Sequence, residues 1–218
     1  MTDKITEVQV CECVSSKYVE TRRLRYKQNS IEKTWDYIVS HDSICILIFN
    51  VTREVFVLVR QFRPALYANL AQAKTVGETV DTTIHPGHLG MTYELCAGLV
   101  DKDKSLPEMA RDEVLEECGY DVPVEKFEMI TCARGGVGLT GSNQTYFYAE
   151  VTDAMKVSAG GGLVEEGEMI EVYELTLTSA PALMWDETKN KPVGVIFAFM
   201  WFFQNKRPGL LPGTGAQL

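Results

Sequence analysis

A helix with both ends marked in the sequence constrains the fold of this chain more than any other segment. Ser105 and Glu108 stand three residues apart in a capping-box pattern, in which each side chain bonds the backbone N–H of the other residue. Pro107 is tolerated in a first helical turn, and Gly119 supplies a C-terminal stop. The pattern therefore predicts a helix over Leu106–Cys118.

Three glutamates project from one face of this helix, because they stand at positions i, i+3 and i+4: Glu113, Glu116 and Glu117. The opposite face is an apolar stripe that would seat the helix on a sheet, and it consists of Ala110, Val114 and Cys118. Like charges this close repel each other. A solvated acidic face would explain the spacing alone, but exposed carboxylates beside glycine-rich loops also suit a hard dication shared with phosphates, such as Mg²⁺ or Mn²⁺.

The rest of the chain reads as strands on both sides of this helix, without an internal repeat. Strand-like segments cover 5–27, 35–39, 43–49, 55–61, 92–96, 127–132, 145–151 and 170–175, and a closing helix is predicted near 192–204. Residues 68–90 lose periodicity and gain Gly, Pro and His, which is typical of a functional or disordered loop. The 218 residues suffice for one sizeable core, or for one domain with a smaller N-terminal extension.

Composition and charge exclude several classes of protein. With 45% hydrophobic and 23% charged residues the chain is globular, and its longest apolar run, 193–203, is too short for a bilayer span and predicts a buried helix. A net charge of −9 argues against non-specific nucleic-acid binding, and an anionic substrate would need divalent cations as a bridge. The start of the sequence has no secretory pattern, which predicts a cytoplasmic protein.

Two close spacings outside the helix could hold a metal ion, but structural roles are favoured for both. The pair Cys11 and Cys13 lies on a strand-like stretch, and the six cysteines of the chain are expected to be free, buried thiols. The pair His85 and His88 would need a helix, which the Pro and Gly between them disfavour.

From Gly98 to Tyr120 the sequence resembles, without a gap, the Nudix box G-x5-E-x7-R-E-U-x-E-E-x-G-U, where U is a bulky apolar residue. The matching positions are Gly98, Glu113, Val114, Glu116, Glu117, Gly119 and Tyr120. Two positions depart from it, because Lys104 replaces the first glutamate and Asp112 replaces the arginine, with Arg111 one place early. The salt bridge usual between these two positions then lacks its usual partners, and Glu108 is a candidate substitute.

Over nearly its whole length the chain resembles the ADP-ribose and UDP-sugar pyrophosphatase branch of the Nudix hydrolase family. The segments that carry the resemblance are NSIEKTWDYIVSHDS, LVRQFRPALY, TYELCAGLVD, GVGLTGSNQTYFYAEVTDA and GGLVEEGEMIEV. It implies a Nudix-type α/β/α sandwich with a mixed central sheet over residues 41–218 and an N-terminal β-subdomain over residues 1–40. It also implies a homodimer, in which that subdomain helps to build the partner's substrate pocket.

The resemblance also assigns metal ligands. It implies that Glu113 and Glu117 bind Mg²⁺, with Mn²⁺ as a possible replacement, and that Glu116 is a further ligand or a base. The backbone carbonyl of Ala97 is an extra ligand by the same comparison. Two or three ions are expected.

Residues outside the box receive roles in the same way. The resemblance implies that Glu166, on a glycine-rich loop, orients or deprotonates the attacking water, with Glu165 and Glu168 as fallback candidates. Arg63 would pair with a substrate phosphate, although an arginine at a strand end is often a surface ion-pair partner. Trp35 would stack on the base or pack in a subunit interface.

The reaction implied by the resemblance is hydrolysis of UDP-glucose to UMP and glucose 1-phosphate. A first alternative is an ADP-ribose pyrophosphatase. A second alternative is a non-catalytic Nudix-fold binding module, which the altered residues Lys104 and Asp112 motivate.

Overall fold

A seven-stranded mixed sheet forms the centre of the structure, a computed structural model that describes residues 4–16 and 19–210. The strands are β1 Glu20–Gln28, β2 Ile31–Val39, β3 Ser43–Asn50, β4 Val55–Phe62, β5 Met91–Glu94, β6 Cys96–Leu99, β7 Glu128–Arg134, β8 Asn143–Val151 and β9 Ile170–Thr176. The α-helices are α1 Pro64–Leu70, α2 Leu106–Cys118, α3 Ala180–Trp185 and α4 Val193–Asn205. The two predicted helices and most predicted strands are found within a few residues of their expected bounds. The segment 5–27 was predicted too long, because its strand begins only at Glu20, and the segment 92–96 is divided between β5 and β6.

The central strand β3 fixes the order of the sheet, which runs β5, β4, β3, β8, β7, with β6 also paired to β3 and β9 to β4. Strands β3 and β8 are parallel and all other pairs in this sheet are antiparallel. Strand β6 pairs with β3, and a short loop joins its end to α2, so the helix starts at one end of the sheet. The end of β6 and the glutamate face of α2 therefore meet there.

Alternating side chains of β3 build one core on each face of the sheet. Ile44 and Ile46 pack in the core that includes the apolar stripe of α2. Leu47 and Phe49 pack in the opposite core, with the buried face of α4. These two layers of helix confirm the α/β/α sandwich with a mixed sheet. No helix in the described part of the chain is long and apolar enough to cross a membrane.

Strands β1 and β2 form a separate two-stranded sheet ahead of the main domain. Their tight turn places Asn29 and Ser30 at positive φ, 52° and 63°, as a two-residue hairpin turn requires. The hairpin is held to the loop between β7 and β8 by the Ile38 N–H, which donates to the Leu139 carbonyl at 2.8 Å. The role of this hairpin in dimerisation stays a prediction.

Two expectations about loops and thiols need correction. Residues 68–90 are not a featureless loop, because they include the end of helix α1 and are folded around a small cluster of Tyr67, Ala71 and Val80, against which Val8 packs. All six cysteines are free as expected, but three of them are exposed rather than buried: Cys11, Cys13 and Cys132. Neither helix α1 nor helix α3 was predicted, since each has only six or seven residues and begins with proline near its first turn.

Candidate active site

Helix α2 has the bounds and the caps that its sequence predicts. The Glu108 carboxylate accepts hydrogen bonds from the Ser105 N–H at 2.9 Å and from the Ser105 hydroxyl at 2.6 Å. Gly119 ends the helix in the left-handed conformation, with φ at 77°. Glu108 is therefore occupied in capping and does not replace the missing glutamate of the Nudix box.

A cleft of about 680 Å³ lies where α2 meets the ends of the strands. It brings together most of the predicted site residues, namely Arg63, Ala97, Glu113, Glu116 and Glu117. Further acidic side chains also line it, namely Glu94, Asp101 and Glu168. The cleft is thus strongly acidic, and its cationic lining side chains are Arg63 and Lys102.

Glu117 lies at the bottom of this cleft and is buried rather than exposed. Its side chain accepts a hydrogen bond from the Ala97 N–H at 3.0 Å, and the residue is only 4% exposed. Burial, which removes water from the charged form, raises the pKa of Glu117 to about 8. The expectation of an exposed carboxylate at this position was wrong, because the register of α2 on β6 turns the side chain toward the strand.

Glu113 lies directly over the backbone of Gly98. A Cβ atom at position 98 would stand 2.2 Å from the carboxyl carbon of Glu113, so any larger residue would displace this carboxylate from its position. Burial and, to a lesser extent, repulsion by Glu116 raise the pKa of Glu113 to about 7. The glycine of the Nudix box therefore serves here to seat its first helical glutamate.

Arg63 enters the cleft in a two-pronged ion pair with Glu94. Its Nε and Nη2 atoms donate to the two carboxylate oxygens at 2.8 Å and 2.6 Å, and Thr92 donates to the same carboxylate at 2.6 Å. Burial raises the pKa of Glu94, but the hydrogen bonds from Arg63 and Thr92 and the charge of Arg63 outweigh it and leave the pKa lowered. The Arg63 side chain is 48% exposed, so it has surface left for a ligand.

The two departures from the Nudix box form an ion pair with each other. Lys104 Nζ lies 2.5 Å from a carboxylate oxygen of Asp112, and this hydrogen bond raises the pKa of Lys104. Arg111 instead pairs with Asp121 at 3.1 Å. A salt bridge therefore joins the two box positions after all, with the positive charge at position 104 and the negative charge at position 112. It connects the loop before α2 to the helix.

Two predicted residues lie elsewhere or cannot be placed in full. Trp35 is on strand β2, outside the cleft, and its indole N–H donates to the Gly138 carbonyl at 2.9 Å. Glu166 ends a short 3-10 helix, Val164–Glu166, but its side chain lies outside the described part of the structure. Of its two neighbours, Glu168 lines the cleft and accepts a hydrogen bond from the Leu163 N–H at 2.9 Å.

Glu94 is the site residue that the sequence analysis missed. It is 8% exposed, and a buried carboxylate requires a partner. The signal was an acidic residue in a short apolar stretch between Thr92 and Leu95. Its link to Arg63, 31 positions earlier, depends on the antiparallel pairing of β4 with β5, which the sequence does not specify.

Comparison with known proteins adds a family to this geometry. The chain matches no family model. It is 46% identical to uridine diphosphate glucose pyrophosphatase NUDT14 of Bos taurus and 42% identical to that of Mus musculus, each over 95% of this chain and 98% of the relative. A GDP-mannose pyrophosphatase of Citrobacter koseri is 37% identical over 64% of this chain and 62% of the relative.

A solved structure supports the fold independently of sequence. The protein described as an ADP compounds hydrolase superposes with a TM-score of 0.60 over 95% of this chain and 98% of the other, at 14% sequence identity. That similarity concerns the architecture alone. The nearly full-length relatives show that the chain belongs to the Nudix hydrolase family, beside the animal UDP-glucose pyrophosphatases, and the glutamates seated on α2 agree with this assignment.

Proposed function

We propose that this protein is an Mg²⁺-dependent pyrophosphatase that hydrolyses UDP-glucose to UMP and glucose 1-phosphate. The observation that carries the proposal is one cleft in which the three α2 carboxylates lie with the guanidinium of Arg63. Carboxylates are suited to divalent ions, and guanidinium is suited to phosphate oxygens. A diphosphate bound between them would meet both kinds of group.

The side chains of the cleft fit a hard divalent ion in their chemistry. All candidate ligands are oxygen donors, and Gly98 leaves the space that Glu113 occupies. In the described residues, no three His, Cys, Asp or Glu side chains are already grouped around one point, so an ion would draw Glu113, Glu116 and Glu117 together. The elevated pKa values of Glu113 and Glu117 fit a site whose negative charge is offset by a cation.

Mg²⁺, or Mn²⁺ in its place, would be held by Glu113, Glu117 and Glu116 with the backbone carbonyl of Ala97. When bound, such ions would polarise a phosphate group of the substrate and lower the pKa of a water molecule. The contribution of the protein is to hold the ligands in place, and α2 does this through its caps and its buried apolar stripe.

Arg63 is proposed to align the diphosphate through its exposed edge. Because Glu94 already fixes the other edge of the guanidinium, little side-chain freedom is lost when a phosphate binds. Glu166 is proposed as the residue that orients or deprotonates the attacking water, with Glu168 as the fallback. Gly160, Gly161 and Gly162 all have positive φ, which gives this loop a backbone that few other residues could adopt.

A homodimer is proposed from the exposed apolar residues of the hairpin. Residues paired across β1 and β2 share a face. One face carries Glu20, Arg22, Gln28 and Lys33 together with six apolar or aromatic residues, namely Leu24, Tyr26, Ile31, Trp35, Tyr37 and Val39. Trp35 remains 52% exposed there and Ile31 65%. An isolated two-stranded hairpin is only marginally stable, so a second copy is the proposed cover, and Trp35 would lie at the dimer interface or beside the partner's bound base.

Sedimentation of the full chain and of Leu24→Glu tests the dimer. The wild type is expected to sediment as a dimer and the variant as a monomer, because a buried charge would oppose association. Thr21→Glu, on the opposite face of the same strand, is the matched control and should leave the dimer intact. A monomeric wild type would contradict this part of the proposal.

A substrate panel tests the activity. UDP-glucose, ADP-ribose and GDP-mannose are incubated with the wild type and Mg²⁺, and release of the nucleoside monophosphate is measured. The proposal expects UDP-glucose to have the highest kcat/KM. A higher value for ADP-ribose would favour the first alternative, and no release from any diphosphate sugar would favour a binding module.

A cytoplasmic location is also proposed. Its support is the free state of all six cysteines, which suits a reducing compartment. Fractionation of cells that express the full chain with a tag tests it, and recovery in a membrane or secreted fraction would contradict it.

A further inference from the structure

A second cavity, which the proposed reaction has not used, adjoins the acidic cleft. It has a volume of about 710 Å³ and lies between α1, β5, α3 and the loop that leads into α4. The two cavities share Arg63, Glu94 and Pro192 in their linings. A ligand that contacts Arg63 in the cleft can therefore extend into this second cavity.

The second cavity differs from the acidic cleft in charge. Lys189 and Lys191 line it together with Arg63, against two acidic side chains, Glu94 and Glu187. The acidic cleft has six acidic lining side chains and two cationic ones. The second cavity can thus accept one end of an anionic molecule without a metal ion to offset repulsion.

Trp185 gives this cavity an exposed aromatic surface. It is the last residue of α3, is 62% exposed, and lines the cavity above the buried Met184. Single exposed aromatic residues are common on protein surfaces. Trp185 differs from those because it lies in a cavity among charged and amide side chains.

The loop between α3 and α4 is fixed before any ligand binds. Asn190 donates through its side chain to the carbonyls of Leu89 and Met91, at 2.9 Å and 3.2 Å, and its own carbonyl accepts from the Tyr93 N–H at 2.9 Å. Lys191 Nζ donates to the Asp186 carbonyl at 2.6 Å. A cavity wall held in this way loses little entropy on binding.

We infer that this second cavity binds the hexose of the nucleotide sugar, with Trp185 against the apolar face of the ring. The inference rests on the proposed function. A hexose has one face of C–H groups and several hydroxyls that both donate and accept hydrogen bonds, which matches an indole that lines the cavity together with Glu187 and Lys189. A uracil ring has fewer polar groups, and Trp35 on the hairpin remains available for it.

Binding of the two products, one at a time, tests the inference without turnover. Glucose 1-phosphate and UMP are each titrated by calorimetry into the full-length wild type, Trp185→Ala and Trp185→Phe in the presence of MgCl2. Trp185→Ala is expected to weaken glucose 1-phosphate about fivefold, the size of one aromatic contact. Trp185→Phe should weaken it less, and the Kd of UMP should stay within twofold in both variants.

Trp201→Phe is the matched control, because Trp201 packs on Tyr148 and lines neither cavity. It should leave both affinities unchanged, and thermal melts establish that all variants fold. Any of four results would overturn the inference: weaker binding of UMP to Trp185→Ala, equal weakening of both products, no change in the affinity for either product, or no binding of glucose 1-phosphate to the wild type.

The same proteins separate this inference from the proposed function. If the wild type releases UMP from UDP-glucose but Trp185→Ala leaves its KM unchanged, only the hexose site is wrong. If glucose 1-phosphate binds and Trp185→Ala weakens it, but the wild type releases no UMP, only the proposed activity is wrong. With both correct, Trp185→Ala should raise KM about fivefold with kcat nearly unchanged.

Discussion

The burial of Glu117 makes the stability of the metal-free protein depend on pH in a defined direction. The folded-state pKa of about 8 lies above the ordinary value of 4.5. The folded protein therefore binds more protons than the unfolded chain between these two values, and this group contributes less stability as the pH rises through that window. Since each pKa unit corresponds to about 1.4 kcal/mol, ionising Glu117 in the metal-free fold costs on the order of 5 kcal/mol.

Glu117→Gln removes this cost, because glutamine has nearly the same shape, stays neutral and can still accept the Ala97 N–H. Urea unfolding in EDTA should give equal stabilities for variant and wild type near pH 4.5. At pH 8.5 the variant should be more stable by roughly 3 to 5 kcal/mol. The difference between the two proteins is the quantity to compare, because other carboxylates titrate in both.

Two controls make this result specific. Glu116→Gln removes the same charge from the same helix at a less buried position. Its free energy of unfolding at pH 8.5 should therefore differ much less from that of the wild type. Adding MgCl2 at pH 8.5 should stabilise the wild type and reduce or reverse the advantage of Glu117→Gln, because an ion that binds the folded state raises its stability. The reasoning would be refuted if the free energy of unfolding of Glu117→Gln, relative to the wild type, did not increase between pH 4.5 and pH 8.5.

The remaining predictions concern Gly98, the ion pair of Lys104 with Asp112, and the proposed contact of Arg63 with a phosphate. Gly98→Ala should lower kcat at least tenfold, because its Cβ would displace Glu113, while the circular dichroism spectrum is retained; normal turnover would contradict this. Lys104→Asp should lower kcat, and the double variant Lys104→Asp with Asp112→Lys should restore it. The melting temperatures should stay within a few degrees of the wild type, because the ion pair is partly exposed. A double variant with a kcat no higher than that of the single variant would contradict a pairing role. Arg63→Lys should raise KM about tenfold, because lysine cannot hold Glu94 and a phosphate in a planar fork; an unchanged KM would place the phosphate elsewhere.

The parts of the site that sequence could predict are those set by local rules. The ends of α2 follow from Ser105, Glu108 and Gly119, and the shared face of the glutamates follows from helical spacing. The apolar stripe was also correct, since Val114 and Cys118 are fully buried. Each of these features follows from the spacing of residues within this one helix and its caps.

The parts that sequence could not predict depend on contacts between distant segments. The depth of Glu117 is set by the way α2 lies on β6, and the partner of Arg63 is set by the pairing of β4 with β5. Lys104 and Asp112 read as two defects when each position was compared with a pattern separately. Only their proximity in the fold shows that they compensate each other.

The central claim is that the glutamates of α2 hold the divalent ions that make pyrophosphate cleavage possible. The direct measurement is release of UMP from UDP-glucose as MgCl2 is titrated from zero, for the wild type, Glu117→Gln and Glu113→Gln. The account expects saturable activation of the wild type, little or no activity in either folded variant, and none in EDTA. Turnover in EDTA, or a Glu117→Gln variant with near-normal turnover and the same Mg²⁺ dependence, would contradict it.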